Sequence, residues 1–249
     1  MRYLDADLGA AGRLMLAAGL IGFGLTGLHF HHAMDGLQPF ALNPVGVWLN
    51  SAVLVLGGIG LAWTRVASKA ALALWALLTL LLFVHAPGLA AEPANPVRWV
   101  SAVEVLGLLA ACMLIAAPGR ADFRLATRVA IGLMLVVFGV VHWLFVGAIA
   151  GMIPDWMPGR SVWPLFTGGA NIAAGLAIAS GVLARPASAL VGAMFASWIL
   201  LVHAPRILAA PGERSEWVAC ALAFALTGVV WTVNGALHRS GGDLQSQPR

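Results

Sequence analysis

The sequence predicts an all-α integral membrane protein whose eight transmembrane helices form two parallel four-helix repeats. Three observations carry that expectation. Only 10% of the residues are charged and 61% are hydrophobic, with a mean hydropathy of +0.91, whereas an ordinary soluble domain carries about 25% charged residues. The apolar residues run in stretches of roughly 20, the length an α-helix needs to cross about 30 Å of hydrocarbon. Finally, Val84-His85-Ala86-Pro87 reappears 118 residues later as Val202-His203-Ala204-Pro205.

Taken in order, the spans fall near 12–32, 46–64, 69–86, 98–117, 126–149, 162–183, 187–204 and 216–236. Helix breakers separate them: Pro39 and Pro44, Pro93 and Pro96, Pro118-Gly119, Pro154 with Pro158-Gly159, and Pro211-Gly212. The first span has the length of a secretory signal, but its counterpart in the second half is internal, so it counts as a helix of the fold. A transmembrane barrel would show short segments of alternating polarity rather than continuous apolar runs.

Other landmarks repeat at nearly the same spacing. Trp99 falls on Trp217 and Ala67-Ser68 on Ala187-Ser188, with Asn50 near Asn171, Trp48 near Trp163 and His29 near His142. The expected units are therefore 1–119 and 120–249, the second ending in a short polar tail. An even number of helices per unit makes the copies parallel, related by an axis along the membrane normal.

With the N-terminus inside, the cytoplasmic segments hold ten basic residues: Arg2, Arg13, Arg65, Lys69, Arg120, Arg124, Arg128, Arg185, Arg239 and Arg249. The outer side holds four, Arg98, Arg160, Arg206 and Arg214. That asymmetry predicts a multi-pass inner-membrane protein with both termini cytoplasmic. Because the basic residues are scattered rather than clustered, nucleic acid is not an expected partner despite the net charge of +4. Cys112 and Cys220 form no CxxC motif and stand near opposite ends of their helices, which argues against dithiol exchange. Phosphate-binding loops, dinucleotide fingerprints and HExxH signatures are missing.

The second half carries Phe138-Gly139, His142, Ile153-Pro154-Asp155-Trp156-Met157-Pro158-Gly159, Trp163, Phe166-Thr167-Gly168, Ala173-Ala174-Gly175 and Val202-His203-Ala204-Pro205-Arg206. This pattern resembles the DoxX-like family of small four-helix membrane proteins, here in tandem, over most of residues 128–235 and more loosely over 13–117. That resemblance implies a redox or quinone-linked role, the family name deriving from a thiosulfate:quinone oxidoreductase subunit. The family's frequent glutamate early in the second helix is replaced here by Asn50 and Asn171.

Four histidines lie inside apolar spans. His29 is sixteen residues beyond Arg13, His85 sixteen beyond Lys69, His142 fourteen beyond Arg128 and His203 eighteen beyond Arg185. At 1.5 Å per residue all four sit roughly 21–27 Å from the inner face, with His31 and His32 just above them. Imidazole at that depth is a candidate ligand for haem or a transition metal, or a hydrogen-bonding partner for a quinone head group. It is equally a common structural donor to backbone carbonyls near helix ends.

Asn50 and Asn171 are candidates for lining the same outward cavity, or for joining helices by hydrogen bonds. Glu104, with Leu222 at the matching place, is a candidate proton acceptor whose partner is expected on another helix, since Arg98 is six residues away on the same one. Arg206 and Arg160 are candidate anion contacts or headgroup anchors. Trp48, Trp99, Trp143, Trp156, Trp163 and Trp217 read as an interfacial belt, Trp163 also as a ring to stack on a ligand. Gly57-Gly58, Gly60, Gly168-Gly169 and Gly175 read as close helix packing, and Pro87 and Pro205 as helix ends.

Two functional classes follow. One is a redox-associated protein, a quinone-linked oxidoreductase or a subunit of one, that binds haem, metal or quinone in the histidine layer and serves a periplasmic redox partner. The other is a non-enzymatic scaffold, assembly factor or small transporter whose histidines are structural.

Overall fold

A computed structural model describes residues 8–33, 36–37, 41–118 and 120–245. Arg2, Pro39, Gly119 and Arg249, and the side chain of Arg239, lie outside the described residues. Among those described the regular secondary structure is all helical, with no strand. The elements are α1 (Gly9–Phe30), α2 (Pro44–Ala62), α3 (Ala67–Ala91), α4 (Pro96–Ala116), α5 (Ala121–Leu144), the short α6 (Val146–Met152), α7 (Val162–Ser180), α8 (Ala184–Trp198), α9 (Ala204–Ala209) and α10 (Arg214–Gln245). A π-turn, Ile199–His203, joins α8 to α9 without a break. Among the described residues eight helices, with Ala184–Ala209 counted as one, are long and apolar enough to cross a membrane, making this a multi-pass membrane protein.

Local chemistry sets the ends. Asn43 and Asn95 cap α2 and α4, their side-chain oxygens accepting from the amides of Gly46 (2.8 Å) and Val97 (3.0 Å), with proline in the first turn. His31 at the end of α1 takes the left-handed conformation, φ 53°. The loop from α3 to α4 is tied by Glu92 and Arg98 at 3.1 Å. That guanidinium, with help from Asn95, holds the exposed Glu92 carboxyl below the usual carboxylate range.

The two Val-His-Ala-Pro motifs do not end their helices, contrary to the sequence expectation. α3 continues through Pro87 to Ala91. On the other side Pro205 stands just beyond the π-turn, inside an uninterrupted span to Ala209. Proline removes one i→i−4 bond and crowds the carbonyl four residues back. A wider i→i+5 turn before it relieves that crowding and re-aims His203.

The most buried spans are α10, α4 and α1. α1 packs along α10 and α2, α5 along α7 and α4, α3 on α4, α8 on α10, and α4 on α10. Contacts are close where glycine permits. A Cβ on Gly24 would lie 2.6 Å from the Ser51 carbonyl oxygen of α2, and one on Gly175 would lie 2.6 Å from the Gly132 carbonyl oxygen of α5. Gly57, Gly58, Gly60 and Gly168 are similarly close to neighbouring helices or side chains, whereas Gly169 has only ordinary contact with Trp143.

Several of these contacts occur twice. Arg13 donates to the carbonyls of Leu61 and Ala62 at the end of α2, and Arg128 to those of Ile178 and Ala179 at the end of α7. Gly24 faces Ser51 and Val55, while Gly139 faces Gly168 and Ile172. The indoles of Trp99 and Trp217 donate to the carbonyls of Pro93 and Pro211, each at 2.9 Å. Gly19 of α1 meets Ala225 of α10, whereas Gly107 of α4 meets Met134 of α5; the small partner has changed sides.

Candidate functional site

A largely apolar cavity of about 230 Å³ opens between α5, α7, α8 and α10. α7 presents Trp163, Thr167 and Asn171 to it, residues spaced by four and so stacked on one helical face. α5 presents Phe138 and His142, again four apart, and Leu222 belongs to the wall supplied by α10. Trp198 and His203 both line the cavity although five residues separate them. In a regular helix that spacing turns two side chains well apart; the π-turn between them returns both to the same side.

Aromatic contacts stiffen the mouth. Trp163 donates its indole N–H to the Pro158 carbonyl (3.1 Å), fixing the loop before α7, and stands edge-on to Trp198 with centroids 5.5 Å apart and planes at 87°.

The polar groups of this apolar space are few and incompletely used. Asn171 is fully buried, and neither its amide nitrogen nor its amide oxygen has a hydrogen-bond partner. Nδ1 of His203 is buried in the same unpartnered state. His142 is different: its Nδ1 lies 2.7 Å from the Phe138 carbonyl oxygen. A carbonyl only accepts, so Nδ1 carries the proton and Nε2 of the neutral ring keeps its lone pair. Thr167 is satisfied by donating to the Trp163 carbonyl at 2.8 Å. Buried polar atoms are normally bonded, and three such atoms beside one cavity are the arrangement a ligand with its own donors and acceptors would complete.

Of the residues singled out in the sequence, the structure thus gathers His142, His203, Asn171 and Trp163 along one cavity. The others lie elsewhere. His85 is buried, and its Nε2 donates to the Leu37 carbonyl at 3.2 Å, tying α3 to the segment after α1. His29 is exposed and lines a separate groove of about 410 Å³ between α1 and α10, with Thr26, Trp217 and Cys220. His31 and His32 are exposed at the end of α1, Nδ1 of His32 lying 2.9 Å from the Ala33 carbonyl oxygen. His142 and His203 thus share a cavity, whereas His29 and His85 lie apart from it on other helix faces. Among the described residues no three His, Cys, Asp or Glu side chains are grouped as metal ligands.

Asn50 is half-buried on α2 and already engaged. Arg206 is held by the Glu216 carboxylate through both Nε (2.7 Å) and Nη2, so its guanidinium is committed within the protein rather than open to an anion. Arg160 is spent likewise on Asp155 and the Ala150 and Gly151 carbonyls. Glu104 is buried on α4 and makes no hydrogen bond or ion pair among the described residues, Arg98 being held by Glu92. Both cysteines are free thiols. Trp48, Trp99, Trp143, Trp156 and Trp217 are exposed, as a lipid-facing belt requires. Sequence reading missed Phe195 and Trp198 as cavity walls, and only the π-turn, invisible in the residue pattern, would have revealed Trp198.

The fold and cavity define the class, a polytopic helical membrane protein with an open, sparsely polar cavity among its helices. No family model, curated protein or solved structure matches the chain.

Proposed function

We propose that this protein binds the head group of a membrane quinone in the cavity between α5, α7, α8 and α10. The observation that carries the reading is an apolar space holding three unpartnered buried polar atoms, two on Asn171 and one on His203. An engineered cavity of about 150 Å³ takes up benzene, so about 230 Å³ suits one substituted ring and is small for a porphyrin. The Asn171 amide N–H and an imidazole N–H are the donors for the two ring oxygens, and the His142 Nε2 lone pair accepts from a quinol hydroxyl. Reducing the bound quinone consumes two electrons and two protons. The electrons come from a reductant on a periplasmic partner, and the imidazoles are the groups through which protons reach the ring oxygens.

We further propose that the chain is a tandem duplication of a DoxX-like unit, with residues 1–119 and 120–249 as parallel copies and both termini cytoplasmic in an inner membrane. The recurring contacts support it, at offsets of 115 residues for α1 and α5, 117 for α2 and α7, and 118 for the last two spans. On those offsets Asn171 corresponds to Leu54 and His142 to Gly27, so the polar residues of the second cavity are its own. Single cysteines at Arg65 and Ser180 should react with an impermeant maleimide from the cytoplasmic side only, and at Trp156 and Gly212 from the other only. Labelling of Arg65 and Trp156 from the same side would end the topology.

Binding is tested by titrating decylubiquinone into detergent-purified protein while following tryptophan fluorescence and thermal unfolding. Saturable quenching with stabilisation is expected, and both should disappear in His203→Phe. Quenching that persists unchanged in that variant, or haem absorbance in the purified protein, would overturn the quinone reading. The engaged His85 favours a second reading for the first half alone, as scaffold rather than site.

A further inference from the structure

Glu104 lies six residues beyond Arg98 on α4, about 9 Å along the helix axis, and is 5% exposed. A carboxylate there, without a cation or a hydrogen-bond donor, costs several kcal/mol. Leucine at the same place would cost nothing, and at the corresponding position of the other half, Leu222, leucine is what occurs.

Leu222 walls the second-half cavity together with Ala219, Ala223 and Leu226. At the offset of 118 these correspond to Glu104, Ser101, Val105 and Leu108. The contact of Gly107 with Met134, matching that of Ala225 with Gly19, gives α4 the same rotation as α10. Glu104 accordingly takes, on α4, the position that Leu222 holds on α10, where it lines the second-half cavity. Among the described residues no cation forms an ion pair with it. α4 packs on α3, α5 and α10; on these helices His85 is spent on Leu37, Arg128 on the end of α7, and His142 on Phe138. Glu216 holds Arg206 and His238 contacts Arg185.

We propose that Glu104 is an exchangeable proton-binding site in the membrane interior. It takes a proton from water to become a neutral carboxylic acid and returns it to water, with no electron transferred. The two halves thus divide the chemistry: amide and imidazole for a neutral ring in one, an acid for a proton in the other. This inference rests on the correspondence between the halves and not on the quinone, which neither test below contains.

Infrared spectra of the purified protein at neutral pH should contain the C=O stretch of a protonated carboxyl that shifts in D2O and is absent from Glu104→Gln. Dicyclohexylcarbodiimide, an apolar reagent for neutral carboxyls, should label Glu104 in peptide mass analysis. A water-soluble carbodiimide should label Glu92 instead. The proposal fails if the acid band survives in Glu104→Gln, if it does not shift in D2O, or if Glu104 resists the apolar reagent. Should Glu104→Gln not fold, labelling of the unaltered protein decides by itself.

Discussion

Replacing Asn171 by leucine, the residue that the proposed duplication pairs with it at position 54, should make the empty protein more stable while impairing its function. Both amide atoms of Asn171 are buried without partners, and each unsatisfied group costs about 1–3 kcal/mol. Leucine is close in volume, keeps the helix and borders a cavity that Phe138, Phe195 and Leu226 also line, so little strain offsets the gain. A net stabilisation of about 1–3 kcal/mol is expected, the lower end allowing for partners the amide finds in the unfolded chain within detergent. At about 2–4 °C per kcal/mol for a chain of this size, the unfolding midpoint rises by several degrees. The opposite change is expected in binding: losing a neutral hydrogen bond of about 1 kcal/mol weakens decylubiquinone roughly fivefold, and the stabilisation by ligand shrinks accordingly. The assay is thermal unfolding with and without decylubiquinone, followed by tryptophan fluorescence. A variant that is less stable when empty and binds as before would show that Asn171 serves packing between helices, and the reasoning from orphaned polar atoms would be refuted.

Two further outcomes follow from the packing. Gly24→Ala and Gly139→Ala each place a methyl against a backbone carbonyl of the neighbouring helix, so both should cost about 1–3 kcal/mol in unfolding experiments, and a large cost for one with none for the other would deny the equivalence of the α1–α2 and α5–α7 contacts. Arg206→Leu leaves the Glu216 carboxylate, with its side chain 12% exposed, without its counter-charge and should destabilise by about 2 kcal/mol, between the surface and buried limits; the double variant with Glu216→Leu should recover most of the loss, and a double as unstable as the single would show that the pair is not coupled.

Much of the helical framework was legible because the bilayer allows so few solutions. Long apolar runs have to be helices, and breakers such as Asn95-Pro96 mark their starts for a stated reason, a side-chain cap followed by a residue that needs no amide bond. The ends were less legible where proline was treated as a stop, since α3 runs through Pro87. Spacing from the basic residues gave the four histidines one expected depth, and two of them, His142 and His203, line one cavity. Azimuth could not be counted in the same way. On the proposed duplication the offset of α1 against α5 is 115 rather than 113, which pairs His29 with Leu144; His29 lines the groove between α1 and α10. A two-residue slip is trivial in alignment but about 200° on a helix, enough to exchange cavity for lipid.

The asymmetry between the halves then becomes informative in itself. If the histidines were mere relics of duplication, their surroundings would have matched as well as their motifs do. Instead His85 has a backbone acceptor in Leu37 while Nδ1 of His203 has none, and a π-turn in the second half re-aims the residue that a regular helix carries in the first. An unsatisfied imidazole costs stability, and Nδ1 of His203 has no partner among the described residues. Such local violations persist where something outside the empty protein compensates them. The compensation expected at His203 and Asn171 is a ligand's oxygen atoms, and at Glu104 a proton.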